Sequence, residues 1–135
     1  MKNLSERRFG AILGNNMNTF GGQNLDLEIL KKTASSLLDK ASWLVTGTIP
    51  LAVDNSREVA HWAVDNAMKA GLEIAIDVNW RPTFWDSSFS SDASPNEKTS
   101  SLILSFLEKA SLLKLSREEA LWFFGTDDPS YISKS

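Results

Sequence analysis

The segment at 74–85, IAIDVNWRPTFW, sets a carboxylate, an amide and a guanidinium at alternate positions, Asp77, Asn79 and Arg81, directly after an apolar run. Alternate residues of an extended chain point to one side, so the three could meet a single polar ligand. The planar fork of arginine offers phosphate or carboxylate two parallel, charge-assisted hydrogen bonds. Pro82 fixes its own φ and keeps Arg81 out of helical geometry, which stiffens the chain where the arginine leaves it. A plainer reading of the same residues has Asp77 capping a turn and Arg81 pairing with it at the surface. Trp80, Phe84 and Trp85 read as packing that anchors the loop.

A second cluster lies in KLSREEALWFFG, at 114–125. Ser116 and Glu119 have the Ser-x-x-Glu spacing of a capping box, and Glu118 and Glu119 fall in a first helical turn, where the helix dipole favours acids. The alternative makes Glu119 an outer-sphere partner of magnesium, which prefers carboxylates, water and substrate phosphates. Thr46, Gly47 and Thr48 end a third apolar run. TFGGQN at 19–24 lacks the lysine and second glycine of a phosphate loop and reads as a turn. His61 has no acidic or nucleophilic partner at a useful spacing and reads as a boundary-face side chain, so no serine, histidine and acid arrangement emerges.

Alternating elements must position these residues. Apolar, β-branched runs at 7–13, 42–49, 72–78 and 111–116 read as strands. Leu27, Leu30, Ala34, Leu37 and Leu38 recur at helical spacing, as do Val59, Trp62, Ala63, Asn66 and Ala70 in a helix over 54–70. Gly71 and Gly125 stand where helix C-termini want a residue tolerant of positive φ. A Ser-rich loop at 87–101 reads as an insertion before a helix that resumes at Leu102, Phe106 and Leu107. The order strand, helix, strand, helix is that of a parallel α/β sheet with helices on both faces. In such sheets ligands bind beyond the carboxyl ends of the strands, which points to Thr46, Gly47 and Thr48, to Asp77, Asn79 and Arg81, and to 116–119, with Ser116 and Glu119 at its ends.

The bulk numbers narrow the function classes. A chain of 135 residues, 42% hydrophobic and 23% charged, makes at most one domain, 1–135. A net charge of −3 with mixed signs advertises neither nucleic acid nor an anionic membrane. The absence of cysteine and the single histidine exclude disulfides, thiolate metal sites and multi-histidine sites. No apolar run approaches the ~18 residues of a membrane span, and the first ten residues lack a signal-peptide core. A cytoplasmic protein is expected.

DVNWRPTFW and LLKLSREEALWFFG, in this order and one helix apart, resemble the ribokinase-like (PfkB) carbohydrate kinases, and within them the fructokinase and 2-keto-3-deoxygluconate kinase branch. That family carries an Asp-x-Asn-x-Arg segment ending in tryptophan, then Lys-x-Ser/Asn-x-x-Glu leading into a helix and a glycine. The strand ending WLVTGTI and the RRF segment before it are also similar, so the resemblance runs from Arg8 to about Pro129. It implies ATP-dependent phosphoryl transfer to a sugar or sugar-acid hydroxyl, with ATP and Mg2+ as cofactors. Asn79 and Arg81 would face the sugar and phosphate cleft, with Asp77 and Gly47 beside them. Glu119, with Ser116, would organise metal and phosphates. The family's catalytic aspartate lies in a Gly-Ala-Gly-Asp segment, which these 135 residues do not contain, so no catalytic residue is assigned. The resemblance therefore implies the middle of a larger fold, without its amino- and carboxyl-terminal parts: a partial or split kinase, inactive alone, or a non-catalytic module of the same fold. Either would join a partner chain or a second copy through exposed edges.

Overall fold

The computed structural model describes residues 26–133. The strand expected at 7–13 and the turn at 19–24 lie outside them. The described residues run α1 (Leu27–Leu38), β1 (Trp43–Gly47), a 3-10 turn (Ile49–Ala52), α2 (Asp54–Lys69), β2 (Glu73–Asp77), α3 (Pro82–Trp85), α4 (Glu97–Leu107), β3 (Leu112–Lys114), α5 (Arg117–Phe124) and α6 (Pro129–Ile132). The three strands are parallel, in the order β1-β2-β3, which is the α/β class the sequence implies.

Local chemistry sets most boundaries. Asp26 Oδ1 accepts the N–H groups of Glu28 and Ile29 at 2.9 and 3.1 Å and so opens α1. α2 ends in a Schellman motif: Gly71, at φ 80°, donates to Met68 O, and Leu72 donates to Ala67 O. Gly125 closes α5 at φ 68°, as its position in the sequence suggests. β1 ends at Gly47 rather than continuing to residue 49, because Pro50 cannot donate to a ladder and starts a 3-10 turn that buries Ile49 and Leu51.

The Ser-rich loop is shorter than 87–101. Asn96 Oδ1 accepts Thr99 N–H at 2.9 Å and caps a helix that begins at Glu97. This start was hidden because even the inward residue of the first turn, Thr99, is polar, whereas Asn96 and the acid at Glu97 were legible as a helix start.

Register separates the two faces of the sheet. Leu44 pairs with Ile74, and Thr46 with Ile76 and then Leu113. These residues face the core, where Ile74, Ile76 and Val78 join Val64 and Ala67 of α2, Ile103 and Phe106 of α4, and Phe123 of α5 in one cluster. The alternate residues form the other face: Trp43 beside Glu73, Val45 beside Ala75 and Leu112, Gly47 beside Asp77 and Lys114. Among the described residues that second face is open, with Val45 74%, Leu112 56% and Trp43 48% exposed. The cover expected on both faces is therefore present on one of them within 26–133.

Candidate functional site

The carboxyl ends of β1, β2 and β3 form a rim that two buried polar side chains lace together. Thr48, fully buried just beyond β1, donates its hydroxyl to the carbonyl of Val78, just beyond β2. Glu119, 6% exposed in the first turn of α5, accepts the Trp80 N–H on Oε1 at 2.6 Å and the Ser116 N–H on Oε2 at 2.7 Å. Ser116 Oγ accepts the Glu119 N–H at 3.1 Å, which completes the capping box. The same carboxylate thus caps α5 and holds the loop leaving β2. The capping reading of the sequence was right for Ser116, and it missed the reach to Trp80, 39 residues away.

Between these two ties the chain turns. Asn79 has φ 46°, the left-handed region that asparagine tolerates better than most residues. Burial still alternates from Asp77 to Pro82, with Val78, Trp80 and Pro82 inward and the polar residues outward. The regular strand nevertheless ends at Asp77, so Asp77, Asn79 and Arg81 are not successive rungs of one extended chain, as the alternate spacing suggested. Arg81 is exposed, and Nη1 donates to the Trp80 carbonyl at 2.7 Å, which leaves most of its guanidinium donors available.

Asp77 pairs with Lys114 Nζ at 2.6 Å, not with Arg81. Sequence reasoning passed over this lysine. The signal was register: in-step parallel strands set Asp77 beside Lys114 on the open face. With Lys114 76% and Asp77 38% exposed, the pair is worth at most about 1 kcal/mol and opens at small cost to a competing anion or cation. Gly47 completes the row. A Cβ there would stand 3.2 Å from Asp77 O, so glycine lets the ends of β1 and β2 approach closely.

The aromatic residues anchor the loop, as their composition implied. Trp80 Nε1 donates to Ala93 O at 2.7 Å, and the Trp80 and Trp85 rings lie 5.7 Å apart at 31°. This stitches the Ser-rich segment back over the rim. His61 makes an edge-to-face contact with Phe106, 5.2 Å between centroids, and takes no part in the rim. Burial lowers its pKa, with Lys109 and Arg57 acting in the same sense against Asp65.

Among the described residues no metal site is built from side chains alone. Both Glu119 oxygens accept backbone N–H groups in a buried setting, and no group of three or more His, Cys, Asp or Glu among the described residues is placed to hold a metal. A separate open groove of about 1090 Å3 runs along the outer edge of β3, between Leu104 and Leu107 of α4 and Phe124 of α5. It reaches Ser116 but none of Gly47, Asp77, Asn79 or Arg81. Among the described residues no helix is long and apolar enough to cross a membrane.

A parallel α/β sheet with its polar rim at the strand carboxyl ends defines the class. The fold is similar to the apo crystal structure of fructokinase from Vibrio cholerae O395, with a TM-score of 0.54 and 22% identity. The match covers 68% of this chain and 29% of the fructokinase. At this identity the likeness is one of fold. No family model matches the chain.

Proposed function

We propose that the rim is a sugar and phosphate cleft of the PfkB carbohydrate-kinase type, in which Arg81 takes an ATP phosphate and Asn79 and Asp77 face the sugar. The observation that carries this reading is the loop itself. A left-handed Asn79 and an exposed Arg81 are held between two buried ties at the strand ends, where open parallel sheets bind ligands. Preorganised donors of this kind serve phosphoryl transfer, which depends on positioning and charge neutralisation. Gly47 lets the β1 and β2 ends approach closely beside Asp77. The 135 residues contain no Gly-Ala-Gly-Asp segment to supply a base, so this chain alone binds and does not turn over.

Calorimetry with ATP, with and without magnesium, followed by a phosphoryl-transfer assay on fructose, ribose and 2-keto-3-deoxygluconate, tests this. Binding that weakens about tenfold or more in R81A, with no transfer to any of the three, is expected, since a charge-assisted pair is worth about 1.5–3 kcal/mol. Equal ATP affinity in R81A and the unsubstituted protein overturns the assignment of Arg81. Transfer at ordinary kinase rates overturns the inactivity.

A second reading is favoured by the open sheet face: a non-catalytic module of the same fold that acts through a partner chain. Parallel strands are ordinarily covered on both faces, and Trp43, Val45 and Leu112 are exposed here. A monodisperse monomer in light scattering counts against this second reading, and the absence of ATP binding counts against the first.

A further inference from the structure

The Glu119 carboxylate is the one side chain that ties α5 to the loop after β2 among the hydrogen bonds described. Its two oxygens are spent on two different elements: Trp80 N–H, in the residue between Asn79 and Arg81, and Ser116 N–H, at the start of α5. At 6% exposure it has little access to a ligand in the cleft. A buried carboxylate needs such donors, and each N–H would be costly to leave unpaired.

A simple helix cap needs only the second of these bonds. The first fixes the Asn79–Trp80 peptide, on the far side of the strained Asn79 from the Thr48 tie. Left-handed geometry at a non-glycine residue persists only where its surroundings impose it. The two ties flank Asn79 by one residue each, at Val78 O and at Trp80 N.

We infer that Glu119 is a positioning residue rather than a metal or phosphate ligand: it holds Asn79 in its left-handed turn and thereby aims Arg81. For its ligand this rests on the cleft proposed above, and for the loop it rests on the geometry alone. Glutamate is the ordinary N3 residue of a capping box, and here its second oxygen also reaches the neighbouring strand exit.

Two measurements decide it. The first needs no ligand: amide hydrogen exchange at residues 79–81, set against global stability from urea unfolding, in E119A and S116A. Both variants weaken the cap of α5, and only E119A removes the acceptor of Trp80 N–H. Loop protection in E119A falling at least tenfold more than global unfolding accounts for, with the loop in S116A following global stability, is the expected result. Loop protection that follows global stability in both variants overturns the inference. If E119A does not fold, E119Q replaces it, because an amide cannot accept both N–H groups through its two terminal atoms.

The second is a double-substitution cycle on ATP affinity with R81A and E119A. A residue acting through Arg81 loses its effect once Arg81 is gone, so the double variant should bind within about twofold of R81A. Effects that multiply, so that the double variant is weaker by the product of the two, overturn the positioning role and restore a direct contact. Should the unsubstituted protein bind no ATP, the cleft reading falls, and the exchange comparison still decides the role of Glu119.

Discussion

The two faces of the sheet are written in similar residues and have opposite surroundings. Leu44, Ile74, Ile76 and Leu113 face helices, with Ile74 and Ile76 each 1% exposed. Trp43, Val45 and Leu112 face outward, with Val45 74% exposed. Strand propensity and hydropathy cannot separate these sets, because an apolar run on a parallel strand carries the same letters on both sides. Two things differ: which helices the chain folds back onto one face, and what stands at the carboxyl end of the other. There the open face ends in Gly47, Asp77 and Lys114, beside the loop with Asn79 and Arg81. The covered face sets stability, and the open face leads into the candidate cleft.

The contrast breaks most directly at Phe106. Its ring is fully buried against the covered face and carries the edge contact with His61. F106A is expected to cost about 3–5 kcal/mol by urea unfolding, since it removes a large side chain and leaves a cavity that the helices only partly close. A cost below about 1 kcal/mol would mean that α4 does not pack on this face.

Thr48 comes next, where the covered face meets the rim. T48V keeps shape and burial and removes the hydroxyl that donates to Val78 O. Leaving that carbonyl unpaired should cost about 1–3 kcal/mol. Exchange at Asn79 should rise at the same time, because Val78 is one of its two anchors. Unchanged stability would show that water replaces the hydroxyl.

Much of this was legible in the sequence for physical reasons that differ by residue. Gly71 and Gly125 announced helix ends because positive φ is cheap only for glycine. Ser116 and Glu119 announced a cap because that bond is local. The rim was legible as a place, since β2 passes at once from Ile76 to Asp77, Asn79 and Arg81. Its wiring was not. The bonds from Glu119 to Trp80 and from Lys114 to Asp77 span 39 and 37 residues, and they depend on strand register, which no local pattern encodes. The alternate spacing at 77–81 matched the burial pattern, with the three polar residues outward, but not the path, because a left-handed Asn79 ends the extended geometry. The start of α4 was missed because even the inward residue of its first turn, Thr99, is polar, although Asn96 marked it.

A smaller effect separates the covered face from its own margin. His61 lies where α2 meets α4, near Lys109, Asp65 and Arg57, and its pKa is lowered from 6.5, first by burial. Its unfolded form therefore binds a proton more readily than its folded form. The stability it contributes is complete above about pH 6.5 and is lost as pH falls through the window between the unfolded and folded pKa. The Lys109–Asp65 pair, 2.6 Å apart, ties the two helices in the same place. Urea midpoints for H61Q should change less between pH 7 and pH 5 than those of the unsubstituted protein. Equal pH dependence in both would show that His61 does not set this slope, and neither do Asp86 and Asp128, whose ordinary value of 3.8 already lies below the window. Hydrogen bonds from Ser88 and Ser130 lower the pKa of those two groups, so the stability they add is lost only toward lower pH.

The smallest expected change is the sharpest test of the comparison. Val45 and Ile76 are both β-branched strand residues, set on opposite faces one register step apart. V45T adds a hydroxyl to a side chain that is 74% exposed, so a face open to water should shift stability by no more than about 0.5 kcal/mol. The same polar change in the core would cost well over 1 kcal/mol, because the hydroxyl would be buried without a partner. A cost of that size at Val45, growing with protein concentration, would show that a second copy covers the open face in solution, since mass action alone makes stability depend on concentration. The same cost independent of concentration would place the cover within the chain itself.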